Sequence, residues 1–152
     1  MQPTDIRQIA TELVQLLGPT DCAIGGSSLL QSYGIEPQAR DLDLVCTLER
    51  FEEFKTLLSQ YAHLVPVSLH PIYRSKGFAR FSKHGLVIEL MAGIQVLKDD
   101  GLHAFEFLPE KTSWQQGLPL MQLADWLELY QLFERPKRVA QLQQYLGSGL
   151  SQ

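Results

Sequence analysis

Apolar positions recur along the chain with two periods, one typical of helices and the other of strands. Apolar residues three or four positions apart predict amphipathic helices, while alternation or a short apolar run predicts a strand. The first predicted helix begins at a Thr4 or Asp5 cap and ends near Leu17, and the others cover residues 28–33, 49–61, 122–133 and 135–147. The predicted strands cover residues 21–24, 41–46, 64–69, 77–82, 86–91 and 104–107, the last within a loop-like region. This order predicts one α/β domain that ends in a helical hairpin.

Three local signals refine these elements. Ser28 is followed by Gln31, which matches a capping box and predicts Ser28 as the N-cap of the second helix. Pro66 interrupts the third strand and favours an edge position, because proline has no N–H to donate to a neighbouring strand. The segment 83–85 joins the next two strands, and its glycine suits the tight turn of a hairpin.

Composition and charge exclude several classes of protein. Of the 152 residues, 45% are hydrophobic and 20% are charged, which is ordinary for a globular protein and argues against disorder. No apolar run is long enough to span a bilayer and no secretory signal is visible, so we expect a cytoplasmic protein without a membrane partner. The net charge of −4 gives no general attraction for nucleic acid. Cys22 and Cys46 lie in apolar segments and are expected to be buried thiols.

The segment Asp41-Leu42-Asp43-Leu44 places two acids on one face of a strand. Side chains alternate along a strand, so the leucines point to the core and both carboxylates point out together. Carboxylates held side by side repel each other unless a cation lies between them. The acid pair therefore indicates a metal site.

The segment Gly25-Gly26-Ser27, upstream of the acids, forms a turn into a helix. Free backbone N–H groups in such a turn suit a phosphate. With Ser28 as the helix cap, the Ser27 hydroxyl is left free for a phosphate contact. The alternative is that both serines only cap and turn the chain.

Glu89 is the one charged residue of the apolar segment 87–91, where an unpaired carboxylate is costly to bury. It is either a third metal ligand or a strand-end carboxylate that lies in water or pairs with a lysine. We favour the ligand, because the other strand carries an isolated acid pair. Two magnesium ions about 3.5–4 Å apart can clamp both reacting oxygens of a triphosphate reaction, and they usually need at least three acids.

Arg80 belongs to the densest basic stretch of the chain, residues 74–83. If His84-Gly85 is a two-residue turn, we expect Arg80 to lie opposite Val87 and on the same face as Glu89. It then either contacts a triphosphate or pairs with Glu89.

The order of these motifs is more specific than any one of them. Along the chain come an apolar residue, Gly25-Gly26-Ser27, a spacer, Asp41-Leu42-Asp43-Leu44 and the later strand acid Glu89. This order resembles the signature of the polymerase-β-like nucleotidyltransferase superfamily. The chain is most similar to its small bacterial single-domain members, of the lincosamide nucleotidyltransferase and abortive-infection toxin types. Such proteins often carry an Arg-Pro-Lys turn, here Arg135-Pro136-Lys137.

The resemblance implies a mixed β-sheet flanked by helices in a single domain over residues 1–152. The core covers about 20–92, and the helical C-terminal segment covers about 118–147. It also implies a magnesium-dependent enzyme that moves a nucleoside monophosphate from a nucleoside triphosphate to a hydroxyl and releases pyrophosphate, with Glu89 also acting as a base toward that hydroxyl. The implied phosphate-binding residues are Gly25, Gly26 and Ser27, and the implied ligands of two magnesium ions are Asp41, Asp43 and Glu89.

The acceptor stays open between a small molecule, a tRNA and a protein. A chain of this length lacks a large acceptor domain, so a second copy or a partner protein is a candidate for completing the site. Relatives often carry acids where this chain has Arg138 and Gln141. This difference favours the alternative function, a non-catalytic nucleotide-binding or protein-interaction module of the same fold in a toxin–antitoxin pair.

Overall fold

The computed structural model describes residues 6–18, 21–39 and 41–147, and within them five α-helices and nine strands follow one another. The helices are α1 (Ile6–Leu17), α2 (Gly26–Ser32), α3 (Phe51–Tyr61), α4 (Leu123–Leu132) and α5 (Pro136–Gly147). The strands are β1 (Cys22–Gly25), β2 (Asp41–Cys46), β3 (His63–Val65), β4 (Gly77–Lys83), β5 (Leu86–Ala92), β6 (Gln95–Lys98), β7 (Gly101–Ala104), β8 (Ser113–Gln115) and β9 (Leu118–Leu120). None of the described helices is both long and apolar enough to cross a membrane.

Seven strands form one mixed sheet in the order β3-β4-β5-β2-β1-β9-β8, and β6 and β7 form a separate hairpin. At its centre β2 runs antiparallel to β1 and parallel to β5, and β5 runs antiparallel to β4. Helices α4 and α5 pack against each other after the last strand. This arrangement confirms the predicted class, a mixed sheet flanked by helices with a C-terminal helical hairpin.

The face of the sheet opposite the acids carries the core. Leu42, Ile88 and Phe81 are neighbours across β2, β5 and β4, and all three are fully buried. Helices α1 and α3 contact the sheet and contribute Leu13 and Phe54 to the same cluster. Burial of a side chain of this size stabilises a fold by about 1.5–3 kcal/mol relative to leaving it exposed. The alternation in β2 therefore fixes which face is apolar and which face carries the carboxylates.

The β4–β5 connection is the predicted two-residue turn. His84 and Gly85 have φ angles of 51° and 82°, and Lys83 pairs with Leu86. Positive φ at both positions matches the right-handed twist of the two strands. The turn therefore sets the register of the whole hairpin.

That register corrects one prediction about Arg80. Counting back from the turn, Arg80 pairs directly with Glu89, whereas Ser82 is the residue that pairs with Val87. The predicted position opposite Val87 is wrong by two residues. The predicted face is right, because a shift of two positions along a strand returns to the same face.

Several short elements differ from the prediction. Strand β3 ends at Val65, before Pro66, and lies at the predicted edge of the sheet. The predicted strand at 104–107 is wrong, because the strand there is β7, which ends at Ala104 and pairs with β6. Strands β6, β8 and β9 have only three or four residues each, too few to show a period of two. The predicted caps Thr4 and Asp5 lie outside the described residues.

Candidate active site

One row of residues crosses four neighbouring strands and forms the floor of the candidate site. Gly25 pairs with Asp43, Asp43 pairs with Glu89, and Glu89 pairs with Arg80. Residues directly opposite each other on paired strands share a face, and Asp41 shares it because it lies two positions before Asp43. The sheet thus brings together the three predicted acids, the first glycine and the predicted arginine.

Gly25 and Gly26 are required because other groups pack directly against their backbone. A Cβ at Gly25 would lie 1.9 Å from Nε1 of Trp126, and a Cβ at Gly26 would lie 1.9 Å from Oδ2 of Asp43. Gly26 also has a φ of 62°, which glycine adopts without steric cost. The double glycine therefore seats Trp126 and Asp43 against the backbone, and its contact with phosphate stays a prediction.

Ser27 and Ser28 both reach back to Asp41. The Ser28 hydroxyl donates to the Asp41 carbonyl oxygen at 3.0 Å, and the Ser27 hydroxyl lies 3.3 Å from that oxygen and 3.2 Å from Oδ1 of Asp41. The predicted Ser28 N-cap is wrong, because α2 begins at Gly26, directly after β1, with Gly25 in the cap position. The Ser27 hydroxyl is consequently engaged with Asp41 and is not left free as predicted.

The Asp43 carboxyl lies in an unfavourable electrostatic environment. Its removal from water raises its pKa well above the usual value, and the charges of Asp41 and Glu89 and a hydrogen bond with Glu89 raise it further. The Arg135 charge opposes this rise only in part. A cation beside Asp43 would relieve the repulsion.

Glu89 has a basic partner, and that partner is the arginine opposite it. Nε and Nη2 of Arg80 lie 2.7 Å and 2.6 Å from Oε2 of Glu89. Of the two alternatives for Arg80, the structure therefore shows the pair with Glu89. The contact with a triphosphate stays a prediction.

The donor atoms of the row suit magnesium. Across the described ranges, no three His, Cys, Asp or Glu side chains are arranged as a metal site. Asp41 and Asp43 nevertheless offer carboxylate oxygens on one face, and magnesium commonly takes one or two carboxylates and completes its octahedron with water and substrate phosphates. The Asp43 carboxyl is buried beside the charges of Asp41 and Glu89, and burial and those charges raise its pKa. The residues present therefore fit one such ion.

A cleft of about 440 Å³ opens over the row. The three acids and Arg80 form its floor, and its other walls come from the 69–78 segment, α4 and the start of α5. Its further charged residues are Arg135 and Arg138, and its aromatic residues are Tyr73, Phe78, Trp126, Tyr130 and Phe133. The cleft thus combines carboxylates, guanidinium groups and aromatic rings.

Sequence reasoning missed the contribution of α4. Trp126 and Tyr130 follow the spacing of core residues and are only 2% and 8% exposed, yet both line the cleft. Burial raises the pKa of Tyr130 to about 12, and the nearby charges of Asp43 and Asp41 add to the rise. The available signal was their chemistry, since Trp and Tyr combine an apolar body with a polar group that seeks a partner.

Arg138 and Gln141 hold α5 against the segment that follows α2. Nη1 of Arg138 lies 3.3 Å from Oε1 of Glu36 and donates to Oε1 of Gln141 at 3.0 Å. Nε2 of Gln141 donates to the Ile35 carbonyl oxygen at 3.2 Å and to Oε1 of Glu36 at 3.1 Å. These two residues therefore position the α5 wall of the cleft.

Comparisons with known proteins identify the fold. No protein-family model matches the sequence, and no curated protein matches it. A Thermotoga maritima protein, provisionally assigned as a nucleotidyltransferase, is similar in structure with a TM-score of 0.68 and 17% identity over 94% of this chain and 91% of that one. ANT(2")-Ia, solved in complex with adenylyl-2"-tobramycin, is similar with a TM-score of 0.52 and 11% identity over 91% of this chain and 90% of that one. The chain has the nucleotidyltransferase fold.

The nucleotidyltransferase fold agrees with the fold that the family resemblance implied. It is shown here by solved structures at low sequence identity. The lincosamide and toxin types remain predictions.

We predict that Gly26→Ala destabilises the protein and displaces Asp43. A non-glycine residue in a left-handed conformation costs roughly 1–2 kcal/mol, and the overlap with Oδ2 of Asp43 adds to that cost. The matched control is Gly34→Ala, which has a φ of 73° but no atom within 4 Å of the new Cβ. The measurement is urea unfolding. Equal losses in the two variants would contradict the proposed packing of Asp43 on Gly26.

Asp43→Asn is expected to stabilise the metal-free protein, and the gain should grow as the pH rises above the ordinary carboxyl pKa. The folded-state pKa of Asp43 is raised, so the wild type loses stability as pH rises from the unfolded-state pKa toward the folded-state one. An amide carries no charge and escapes this loss.

The measurement is urea unfolding with a chelator at a series of pH values. Asp100→Asn is the control, and we expect it to lose stability, because a hydrogen bond with His103 lowers the pKa of Asp100. A neutral-pH loss of stability in Asp43→Asn would contradict the repulsion.

Proposed function

We propose that the protein is a magnesium-dependent nucleotidyltransferase that transfers a nucleoside monophosphate from a nucleoside triphosphate to a hydroxyl acceptor and releases pyrophosphate. The observation that carries this proposal is the row of carboxylates. Asp43 and Glu89 are direct neighbours on β2 and β5, and Asp41 lies on the same face. They line a cleft in a chain with the nucleotidyltransferase fold. We propose the cytoplasm as the location, because the proposed substrates and metal are those of that compartment.

The donor side follows from the groups around the acids. Asp41 and Asp43 are the proposed ligands of magnesium, which when bound neutralises charge on the phosphates. The Gly25-Gly26-Ser27 turn lies beside them, and its backbone N–H groups are the proposed phosphate contacts. The exposed Arg135, whose charge acts on Asp43, is placed to attract a phosphate oxygen. Glu89 is the third carboxylate, and as a base it would accept the proton of the acceptor hydroxyl.

The cleft suits a planar group. Tyr73 and Phe133 line it, and their ring centroids lie 6.1 Å apart in an edge-to-face arrangement. Rings of this kind stack on a nucleobase or on an apolar part of an acceptor. The volume of about 440 Å³ lies within the range of small-molecule sites. The acceptor remains open between a small molecule, a tRNA and a protein, and a second subunit or partner is a candidate for extending the cleft.

A second candidate is a non-catalytic nucleotide-binding module, as in the toxin–antitoxin alternative. The observation that favours it is the ion pair of Arg80 with Glu89, which engages one of the three carboxylates. This module would bind the triphosphate without transferring any part of it.

The test of the proposed function is thermal unfolding with each nucleoside triphosphate, with and without magnesium. We expect a magnesium-dependent rise in the melting temperature of the wild type, since a ligand at 100 times its Kd adds about 2.7 kcal/mol of stability. We expect Asp43→Asn to lose most of that rise, measured against its own metal-free value. Asp125→Asn is the control, because Asp125 pairs with Lys111 and does not line the cleft.

No magnesium-dependent rise in the wild type would contradict the proposal. A rise that survives Asp43→Asn would contradict the assigned ligands. Pyrophosphate release with candidate acceptors separates the two functions, because the binding module releases none.

A further inference from the structure

Glu89, the third carboxylate of the site, already forms an ion pair with a cationic side chain of the same protein, Arg80. Arg80 and Glu89 are direct register partners, so the backbones of β4 and β5 hold their Cα atoms opposite each other. Both Nε and Nη2 of Arg80 contact the same oxygen, Oε2 of Glu89, at 2.7 Å and 2.6 Å. Charge-assisted contacts of this length are among the strong hydrogen bonds of proteins.

The surroundings make this pair more persistent than an ordinary surface ion pair. The Glu89 side chain is only 18% exposed and the Arg80 side chain 36%, so water screens the pair incompletely. The guanidinium also lies 5.7 Å from the ring centroid of Phe78. Release of Glu89 would leave its carboxylate beside Asp43 with no counter-charge.

Asp41 and Asp43 differ from Glu89 in this respect. Neither has a basic side chain within 4 Å among the residues that the structure describes. The Asp41 carboxylate accepts a hydrogen bond from the neutral Ser27 hydroxyl, and the Ser28 hydroxyl donates to the Asp41 backbone carbonyl. Neither aspartate therefore has a counter-charge in direct contact.

We propose that Arg80 takes the place of a second metal ion, so that the site binds one magnesium through Asp41 and Asp43 while Glu89 stays bound to Arg80. This inference rests on the proposed function and replaces the expected two ions with one. The pair with Arg80 leaves Asp41 and Asp43 as the two carboxylates of the row without a basic group in contact, and magnesium commonly takes one or two carboxylates. It also accounts for the absence of a three-ligand metal site among the described residues.

The experiment counts manganese ions bound per chain. Manganese is titrated into the wild type with one equivalent of a non-hydrolysable nucleoside triphosphate, and the paramagnetic resonance signal of free manganese marks saturation. We expect the signal of free manganese to appear after one equivalent of manganese in the wild type and after two in Arg80→Met, where Glu89 is released. Arg80→Lys keeps a cation and is expected to bind one.

Arg138→Met is the matched control, because it removes the same charge from the same cleft but from a residue that contacts Glu36. We expect it to bind one ion. If Arg80→Met does not fold, Glu89→Gln decides, since Glu89 is not a ligand in this proposal and its loss leaves the count at one.

Two ions in the wild type, or one in folded Arg80→Met, would overturn the inference and leave the proposed function standing. Loss of the single ion in Glu89→Gln would also overturn it, because the ion would then require Glu89 as a ligand. Failure of the wild type to bind either the metal or the nucleotide would instead overturn the proposed function.

Discussion

The site depends on the packing of the Asp43 carboxylate against the backbone of Gly26, where a side chain would not fit. Because Gly26 has no Cβ, the Asp43 carboxylate lies against it, next to Glu89 on β5 and on the same face as Asp41. The fold thus buries the Asp43 carboxyl beside two like charges at a cost in stability, and burial and those charges both raise its pKa. Such local cost is typical of sites that bind a cation or a substrate. The core on the opposite face of the same strands offsets it, since Leu42 and Ile88 are fully buried there.

Much of this arrangement could be predicted where a local rule determines the structure. The alternation in 41–46 predicted strand β2 at its observed bounds, and the two-residue turn at His84-Gly85 predicted the hairpin. The predicted position of Arg80 was wrong only by two residues along the strand. The Ser28 cap failed because α2 begins two residues earlier, at Gly26, and the Ser28 hydroxyl donates to the Asp41 carbonyl oxygen.

The parts that could not be predicted depend on contacts between distant segments. Trp126 has the spacing of a core residue, and nothing in α4 itself indicates that its ring covers Gly25. Strands β8 and β9 extend the sheet beyond β1 but are too short to carry a pattern. Arg138 is part of a network with Glu36, about a hundred residues earlier, which only the folded chain brings together. The floor of the site was therefore readable from the sequence, and its walls were not.

The account's central claim is that the Asp41 and Asp43 pair binds a divalent ion. The most direct test is the anomalous scattering of manganese in a crystal of the protein grown with a non-hydrolysable nucleoside triphosphate. The account predicts one peak within coordination distance of carboxylate oxygens from both aspartates, with Glu89 still bound to Arg80. An ordered nucleotide in the cleft without a peak at these two residues, or a peak elsewhere in the molecule alone, would contradict it.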